Sequence, residues 1–203
     1  MNRDLWDRRY EQREFVWTAD PNQFLVAETK DLSPGRALDL GAGEGRNAVW
    51  LAKQGWQVAA IDFSAVGISK GEKLANSEDV AVNWICDDAT RYKSAQDRFD
   101  LIIMLYFHIP RAQQRTVIHN SLMGLAAGGH FLYVGHDLSN IEKGQGGPQD
   151  PDLLCTPSDI ERDLMDCEII RAEVVQRSVS SEPGHGGAPD LIALDTLVHA
   201  RRS

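Results

Sequence analysis

The segment Ala37-Leu-Asp-Leu-Gly-Ala-Gly-Glu-Gly-Arg46 decides how the rest of the chain is read. An apolar stretch of strand type runs straight into Gly41, Gly43 and Gly45, and a helical pattern follows. Gly41 and Gly43 allow a tight turn and let a ligand approach the backbone with no Cβ in the way. Gly45 lets the helix start close to the strand, where unpaired N–H groups can meet polar ligand atoms. A glycine turn by itself is also the mark of a plain strand-to-helix connection, so the reading depends on its surroundings. Gly35, beside Pro34, reads instead as a surface turn position that tolerates alanine.

Outward from the loop, short apolar runs alternate with helical stretches from residue 36 onward, the pattern of a parallel sheet covered by helices. Strands are expected at 37–40, 57–61, 81–86, 101–106 and 130–135, where VNWIC, DLIIMLYF and HFLYVG are rich in β-branched and aromatic residues. Helices are expected at 45–53, 65–76 and 111–125. Pro110 suits a helix start, and Gly128 with Gly129 suits a helix stop and a sharp turn into the next strand. Residues 137–157 are rich in Gly, Pro, Asp and Gln and show no sustained period. A helix over 157–165, capped by Thr156, then leads into two β-like runs, 168–179 and 191–200, read as antiparallel. The expectation is an α/β fold of Rossmann-like, doubly wound type in one domain over 1–203. Residues 1–35 form an N-terminal cap region, 36–136 a cofactor-binding core, and 137–203 a loop, helix and terminal hairpin on the substrate side.

Two acidic residues give the loop its meaning. Asp62 ends the second strand in VAAIDFS, 21 residues after Gly41. In a doubly wound sheet those strand ends lie side by side, and a carboxylate there can accept both hydroxyls of a ribose. Asp88, in CDDAT, ends the third strand, where a base could lie; Asp87 next to it leaves that assignment open by one residue. The dinucleotide fingerprint is GxGxxG, whereas this loop is GxGxG with Glu44 inside it and Asp39 just before it. Negative charge there disfavours a pyrophosphate and suits a ligand carrying positive charge.

The chain has 203 residues and a formal net charge of −9. An acidic protein repels phosphate backbones unless its positive charge is concentrated, and Arg8–Arg9 and Arg201–Arg202 are short groups, so nucleic acid is not expected as a partner. No apolar run approaches the roughly 18 residues of a membrane span, and the N-terminal MNRDLWDRRYEQREF is not of signal-peptide type, which points to the cytoplasm. Cys86, Cys155 and Cys167 are odd in number and far apart, without disulfide or zinc spacing, and no histidine pair has metal spacing, so no metal is expected.

Taken in order, LDLGAGEGRN, AIDFS, CDDAT and FDLIIMLYFHIP resemble the successive motifs of class I S-adenosylmethionine-dependent methyltransferases. The flanks WDRRY, VW, DPNQFL, GQGGPQDPDLL and the late Glu182, His185 and Gly187 are similar to the bacterial tellurite-resistance-like methyltransferase group. His136-Asp137 departs from that group, where a Glu and an aromatic are expected. The resemblance implies a seven-stranded, mostly parallel sheet whose last strand is antiparallel and inserted beside the fifth. It also implies S-adenosyl-L-methionine as cofactor, whose amino and sulfonium groups match the acidic loop. A small-molecule acceptor, and a monomer or homodimer, complete the expectation. The competing readings are a nicotinamide-dependent oxidoreductase, which would need pyrophosphate on a loop carrying Glu44, and a non-catalytic S-adenosylmethionine-binding protein.

By position, the resemblance implies that Asp39, Gly41 and Ala42 hold the methionine part and that Gly43 lines the back wall. Asp62 takes the ribose hydroxyls with Phe63 against the adenine. Asp88 and the Ala89 N–H meet the base, and Leu105 and Tyr106 lie near the sulfonium. Methyl transfer is an in-line displacement in which the protein orients its reactants and excludes water. A general base is needed only for an acceptor that must lose a proton, and Tyr106, His108 and His185 are the candidates. His136, at the same edge, has an equally plain structural reading. Trp6 and Tyr10 share a helical face and, with Phe15 and Trp17, form an aromatic cluster that either packs on the domain or caps the cofactor. Asn22 reads as a helix cap. Residues 140–151 and 180–188 are expected to form a mobile cover over the acceptor site.

Overall fold

A computed structural model of the chain describes residues 3–12, 15–16, 18–93, 98–179 and 191–203. Seven strands form one sheet: β1 Arg36–Leu40, β2 Gln57–Asp62, β3 Val82–Cys86, β4 Phe99–Leu105, β5 Leu125–His136, β6 Cys167–Ser178 and β7 Ile192–Arg202. Their order is β3-β2-β1-β4-β5-β7-β6. The first five are parallel, while β7 runs antiparallel to both β5 and β6. Strand order therefore reverses between β1 and β4, and the carboxyl ends on either side of that point open a crevice where ligands bind in open α/β sheets.

The central strands are apolar on both faces because helices cover both faces. Leu101, Ile103 and Leu105 of β4 face one core, with Leu25, Ala48 and Leu51 from α2 (Gln23–Thr29) and α3 (Arg46–Lys53). Ile102 and Met104 face the other, with Val117 and Ile118 of α5 (Arg111–Leu122) and Ile160 of α7 (Pro157–Glu161). The period of two along β4 thus divides one continuous apolar run between two layers. Beside them, α1 (Arg3–Glu11) packs on α4 (Ala65–Ser77) at the β2–β3 side of the crevice. Among the described residues no helix is long and apolar enough to cross a membrane.

Boundaries depart from the sequence-based expectation in four places. Helix α5 ends at Leu122, and the Gly128–Gly129 turn falls inside β5, where Gly128 takes φ 74° and the register against β4 shifts. The last helix stops at Glu161 rather than 165; Thr156 and Asp159 cap it reciprocally, and just beyond its end Asp163 turns to pair with Arg111 and Arg115 at 2.6 and 2.8 Å. Gly35 is not a free surface turn: a Cβ there would lie 2.2 Å from the Asp100 carboxylate, which accepts the Arg36 N–H at 2.8 Å.

The fourth is the 137–157 segment, which is anchored rather than loose. The short α6 (Asn140–Lys143) is fixed by Asn140, which accepts from Leu194 N at 2.7 Å and donates to Gly146 O at 2.9 Å. Asp137 N and Gln145 N donate to Leu194 O and Ile192 O, each at 2.9 Å. The start of β7 therefore holds residues 137–145 by hydrogen bonds that no hydrophobic period announces. The other half of the expected cover, 180–188, lies outside the described residues.

Candidate active site

The glycine loop joins β1 to α3 at the crevice. Gly41 takes φ 74°, and a Cβ there would meet the Phe107 ring at 2.5 Å. Gly43 takes φ 58°, and a Cβ there would meet the Tyr10 hydroxyl at 2.9 Å. Both positions thus need glycine for backbone angle and for space. The Gly41 and Ala42 N–H groups donate to Ile61 O at 2.9 and 3.0 Å, which ties the loop to the end of β2.

Asp39 is 1% exposed, and its Oδ2 has no hydrogen-bond partner among the described residues. Burial, and then the charge of Asp62, push its carboxyl up to about 7, against the pull of Arg46 and the Ala48 N–H. A buried oxygen without a donor is costly, so this atom has the capacity to accept a donor. Asp62 is also buried, and burial raises its pKa. The Ser64 and Gly43 N–H groups oppose that shift, each donating at 2.8 Å, one to each carboxylate oxygen. Asp62 therefore braces the glycine loop in addition to facing the crevice. Each oxygen keeps a further lone pair.

Beyond Asp62 lies a cleft of about 360 Å³, lined by Phe63, Asp88, Arg91, Phe107 and Ile109 among others. Asp88 Oδ1 accepts from Thr90 N at 2.9 Å and from Thr90 Oγ1 at 2.7 Å, while Arg91 stands 3.5 Å from Oδ2. Partial burial would raise its pKa, but Thr90 and Arg91 together hold it below the ordinary carboxylate value. Asp87 accepts from the Asp88 N–H at 2.7 Å. Asp88 is the one that borders the cleft, and Ala89 is buried beside it in the core.

The N-terminal residues close the crevice from above. Trp6 and Tyr10 stack at 5.5 Å on α1, and Tyr10 is 5% exposed over Gly43. Burial, then Asp62 and Glu44, push the Tyr10 phenol far above its ordinary value, so it stays protonated. Asp7 of α1 accepts from the Ser64 hydroxyl, and Lys70 of α4 reaches Tyr10 O. Glu44 has a role the sequence did not reveal. It accepts the Val16 N–H at 2.9 and 3.1 Å and pairs with Lys70 at 2.9 Å, so its charge anchors the cap. Asn22 caps α2 by accepting from Phe24 N and Leu25 N, and its own N–H donates to Asn47. Trp17 lies outside the described residues.

On the far side of the glycine loop, the ends of β4 and β5 bring three rings together. Tyr106 takes φ 53°, a conformation unusual for a residue with a Cβ and often found at functional sites. Its ring centroid lies 5.3 Å from His136 and 6.0 Å from His108, and the two imidazoles stack at 5.4 Å. Register pairing sets Asp195 of β7 directly opposite His136. Asp195 is fully buried, accepts from Tyr106 Oη at 2.6 Å and from Arg177 Nε at 2.7 Å, and lies 3.2 Å from His136 Nδ1. That last pair is in electrostatic contact but out of line for a good hydrogen bond. Burial would raise the Asp195 pKa, yet His136 and Arg177 hold it below the ordinary value.

The geometry bears on two of the three expected bases, Tyr106 and His108. The Tyr106 phenol donates to Asp195, and burial and that carboxylate raise its pKa well above the ordinary value. The His108 imidazole is driven down to about 3 by burial and by His136, and its buried Nε2 has no partner among the described residues. Neither is poised to take a proton at neutral pH. His185 lies outside the described residues. Sequence reasoning missed Arg177 and Asp195 because they sit on β6 and β7, about 70 to 90 residues from Tyr106, with no local motif to link them.

A family described as Methyltransferase domain matches residues 37–129. Over those residues the chain is similar to S-adenosylmethionine-dependent methyltransferases. Among curated relatives it is 31% identical over 96 residues to a ribosomal RNA small subunit methyltransferase C from Alcanivorax borkumensis, matching 46% of this chain and 28% of that protein. It is 26% identical over 112 residues to a probable S-adenosyl-L-methionine-dependent methyltransferase, TehB, from Haemophilus influenzae, matching 54% of this chain and 39% of that one. With Nodulation protein S of Sinorhizobium fredii it shares 30% over 131 residues, 59% of this chain and 60% of that protein. The chain thus spans less than two thirds of the length of each. The fold matches the crystal structure of the Haemophilus TehB with a TM-score of 0.75 at 18% identity, over 99% of this chain and 67% of that one. It matches the S-adenosylhomocysteine complex of the N-methyltransferase NodS from Bradyrhizobium japonicum with a TM-score of 0.72 at 17% identity, over 98% and 97%.

Proposed function

We propose that this chain binds S-adenosylmethionine across the β1–β4 switch point and transfers its methyl group to a small-molecule acceptor held against the Tyr106–His136 side of the crevice. The observation that carries the reading is the Oδ2 of buried Asp39, which has no partner among the described residues. It needs a cationic or N–H donor, and the ammonium of a methionine moiety is one. Beside it, Gly43 presents backbone without a Cβ, with the Tyr10 hydroxyl closing over it.

When bound, the cofactor supplies an activated methyl on a sulfonium. The chain's own residues bind, orient and exclude water. Asp39, with the Gly41–Gly43 backbone and Ala42, takes the methionine end. Asp62 takes the ribose, with Phe63, Asp88 and the Ala89 N–H around the base, and Leu105 and Tyr106 border the methyl group. The α1 cap closes over this arrangement through Tyr10 and the Glu44–Lys70 pair. The −9 charge supports a small acceptor rather than a polyanion. Both halves of the site are drawn from one chain, which supports a monomer or a homodimer with separate sites. In the proposed division of labour, residues 1–35 cap, 36–136 bind cofactor and 137–203 face the acceptor.

The test is detection of S-adenosylhomocysteine formed from S-adenosylmethionine with a panel of thiols, hydroxyls, amines and oxyanions. Acceptor-dependent product supports the reading. Tight binding with no turnover on any acceptor would favour a protein that only binds the cofactor.

A further inference from the structure

Of the acceptor-side groups, Tyr106 and His108 are unsuited to accept a proton, for the reasons of geometry and burial given above. His136 differs from both. Its Nδ1 faces the buried Asp195 carboxylate at 3.2 Å, and no described residue is bonded to its Nε2. Asp195 is kept ionised by Arg177 Nε at 2.7 Å, and its other neighbours are the Tyr106 hydroxyl and His136 itself. Gly147 lies over the outer edge of the imidazole: a Cβ there would come within 2.5 Å of Cδ2 and 2.8 Å of Nε2. The anchored 137–147 segment therefore covers the ring, and glycine at 147 is what lets it lie so close. The charged and titratable groups around His136 are thus Asp195 from β7, Arg177 from β6, and Tyr106 and His108 from the end of β4.

A carboxylate in electrostatic contact with one imidazole nitrogen favours the proton there, even out of line for a good hydrogen bond, which leaves the other nitrogen as an acceptor and stabilises the imidazolium that forms. We propose that His136, positioned by Asp195, is the general base of this site, and that the acceptor is a protic nucleophile: a hydroxyl, thiol or neutral N–H. The proposal rests on the methyltransferase reading above. As the acceptor atom forms its bond to the methyl carbon, the carbon–sulfur pair stays on sulfur. The acceptor's proton moves to His136 Nε2, and Asp195 balances the new charge until solvent takes the proton.

Two measurements test it. The first needs no turnover: ¹⁵N-histidine NMR of the protein with S-adenosylhomocysteine bound. Neutral His136 is expected to carry its proton on Nδ1, and Asp195→Asn is expected to remove that preference. A proton on Nε2 in the wild type overturns the assignment. The second compares catechol, histamine and a small thiol with iodide and thiocyanate, which have no proton to lose. His136→Gln is expected to slow transfer to the protic acceptors by about 10²- to 10⁴-fold. That loss should exceed the loss on iodide by at least tenfold, with S-adenosylhomocysteine affinity within threefold of wild type. Equal losses on both kinds of acceptor, or a wild type that methylates only iodide and thiocyanate, contradict the proposal. If no acceptor is methylated, the tautomer measurement decides alone. A wild type that binds no S-adenosylhomocysteine and methylates nothing defeats the methyltransferase reading itself, a result distinct from any of these.

Discussion

The two halves of the crevice are built in opposite ways. On the proposed cofactor side, Asp39, Gly41, Gly43, Asp62 and Asp88 stand at or near the ends of consecutive strands, each within a short motif. On the acceptor side, Tyr106, His136, Arg177 and Asp195 come from four strands and meet only because β7 inserts between β5 and β6. The first half gets its chemistry from local sequence, and the second from topology. Energetic vulnerability should divide along the same line. Changes on the cofactor side should cost binding, and changes on the acceptor side should cost folding or turnover.

The largest effect is expected at Gly43. Gly43→Val forces a β-branched residue to φ 58° and fills the space under Tyr10, so S-adenosylhomocysteine binding should fall below detection by calorimetry. Retained affinity would mean that the glycines serve only the turn. The counterpart across the crevice is Asp195→Ala. It removes one buried partner of Arg177, the acceptor of the Tyr106 hydroxyl and the carboxylate beside His136, and should cost about 1–3 kcal/mol in chemical unfolding. A stable Asp195→Ala protein that cannot bind S-adenosylhomocysteine would erase the division between the halves.

Next in size is Asp62→Ala. Removing two charge-assisted hydrogen bonds to a ribose should weaken binding by about 1.5–3 kcal/mol for each. The same change releases Gly43 N and Ser64 N, so a modest loss of stability should accompany it. If stability falls and affinity does not, Asp62 is a brace for the loop and not a ribose ligand.

A pH effect sharpens the comparison further. The folded-state pKa of Asp39 is raised from 3.8 to about 7, so the unliganded fold holds this proton more tightly than the unfolded chain does. Its contribution to stability is therefore full below 3.8 and is lost as pH rises through about 7. A bound ammonium favours the ionised form, so binding releases the proton. Affinity for S-adenosylhomocysteine should drop by up to about tenfold per pH unit below pH ~7. Asp39→Asn should flatten that slope. The smallest effect is expected from Glu44→Gln. It weakens the Lys70 pair and the hold on Val16, and should show as faster hydrogen exchange in α1 with little change in overall unfolding.

What was legible in the sequence follows the same division. The periods of β1 to β5, the glycine loop and the acidic strand ends are local signals, and the order of the sheet followed from them by resemblance. The Glu44 anchor was not legible, because a carboxylate in a glycine loop gives no hint that Val16 N–H and Lys70 will meet it. The stitching of residues 137–145 to β7 was hidden too, since backbone hydrogen bonds leave no mark on composition. Tyr106 and His108 were chosen as bases by residue type and strand position. Only packing reveals that one donates its hydroxyl hydrogen bond to Asp195 and that burial drives the pKa of the other down to about 3. His136 is the converse case: its departure from the tellurite-resistance-like pattern was visible, but its carboxylate partner was not.

The central claim is that the Asp39–Gly43–Asp62 end of the crevice holds S-adenosylmethionine. Calorimetric titration of the wild-type chain and Asp39→Asn with S-adenosylhomocysteine and, separately, with NADH tests it most directly. The account predicts one S-adenosylhomocysteine site per chain, weakened at least tenfold in Asp39→Asn at pH 8, and no competing heat from NADH. Binding of NADH in its place, or S-adenosylhomocysteine affinity untouched by the loss of the Asp39 charge, would contradict it.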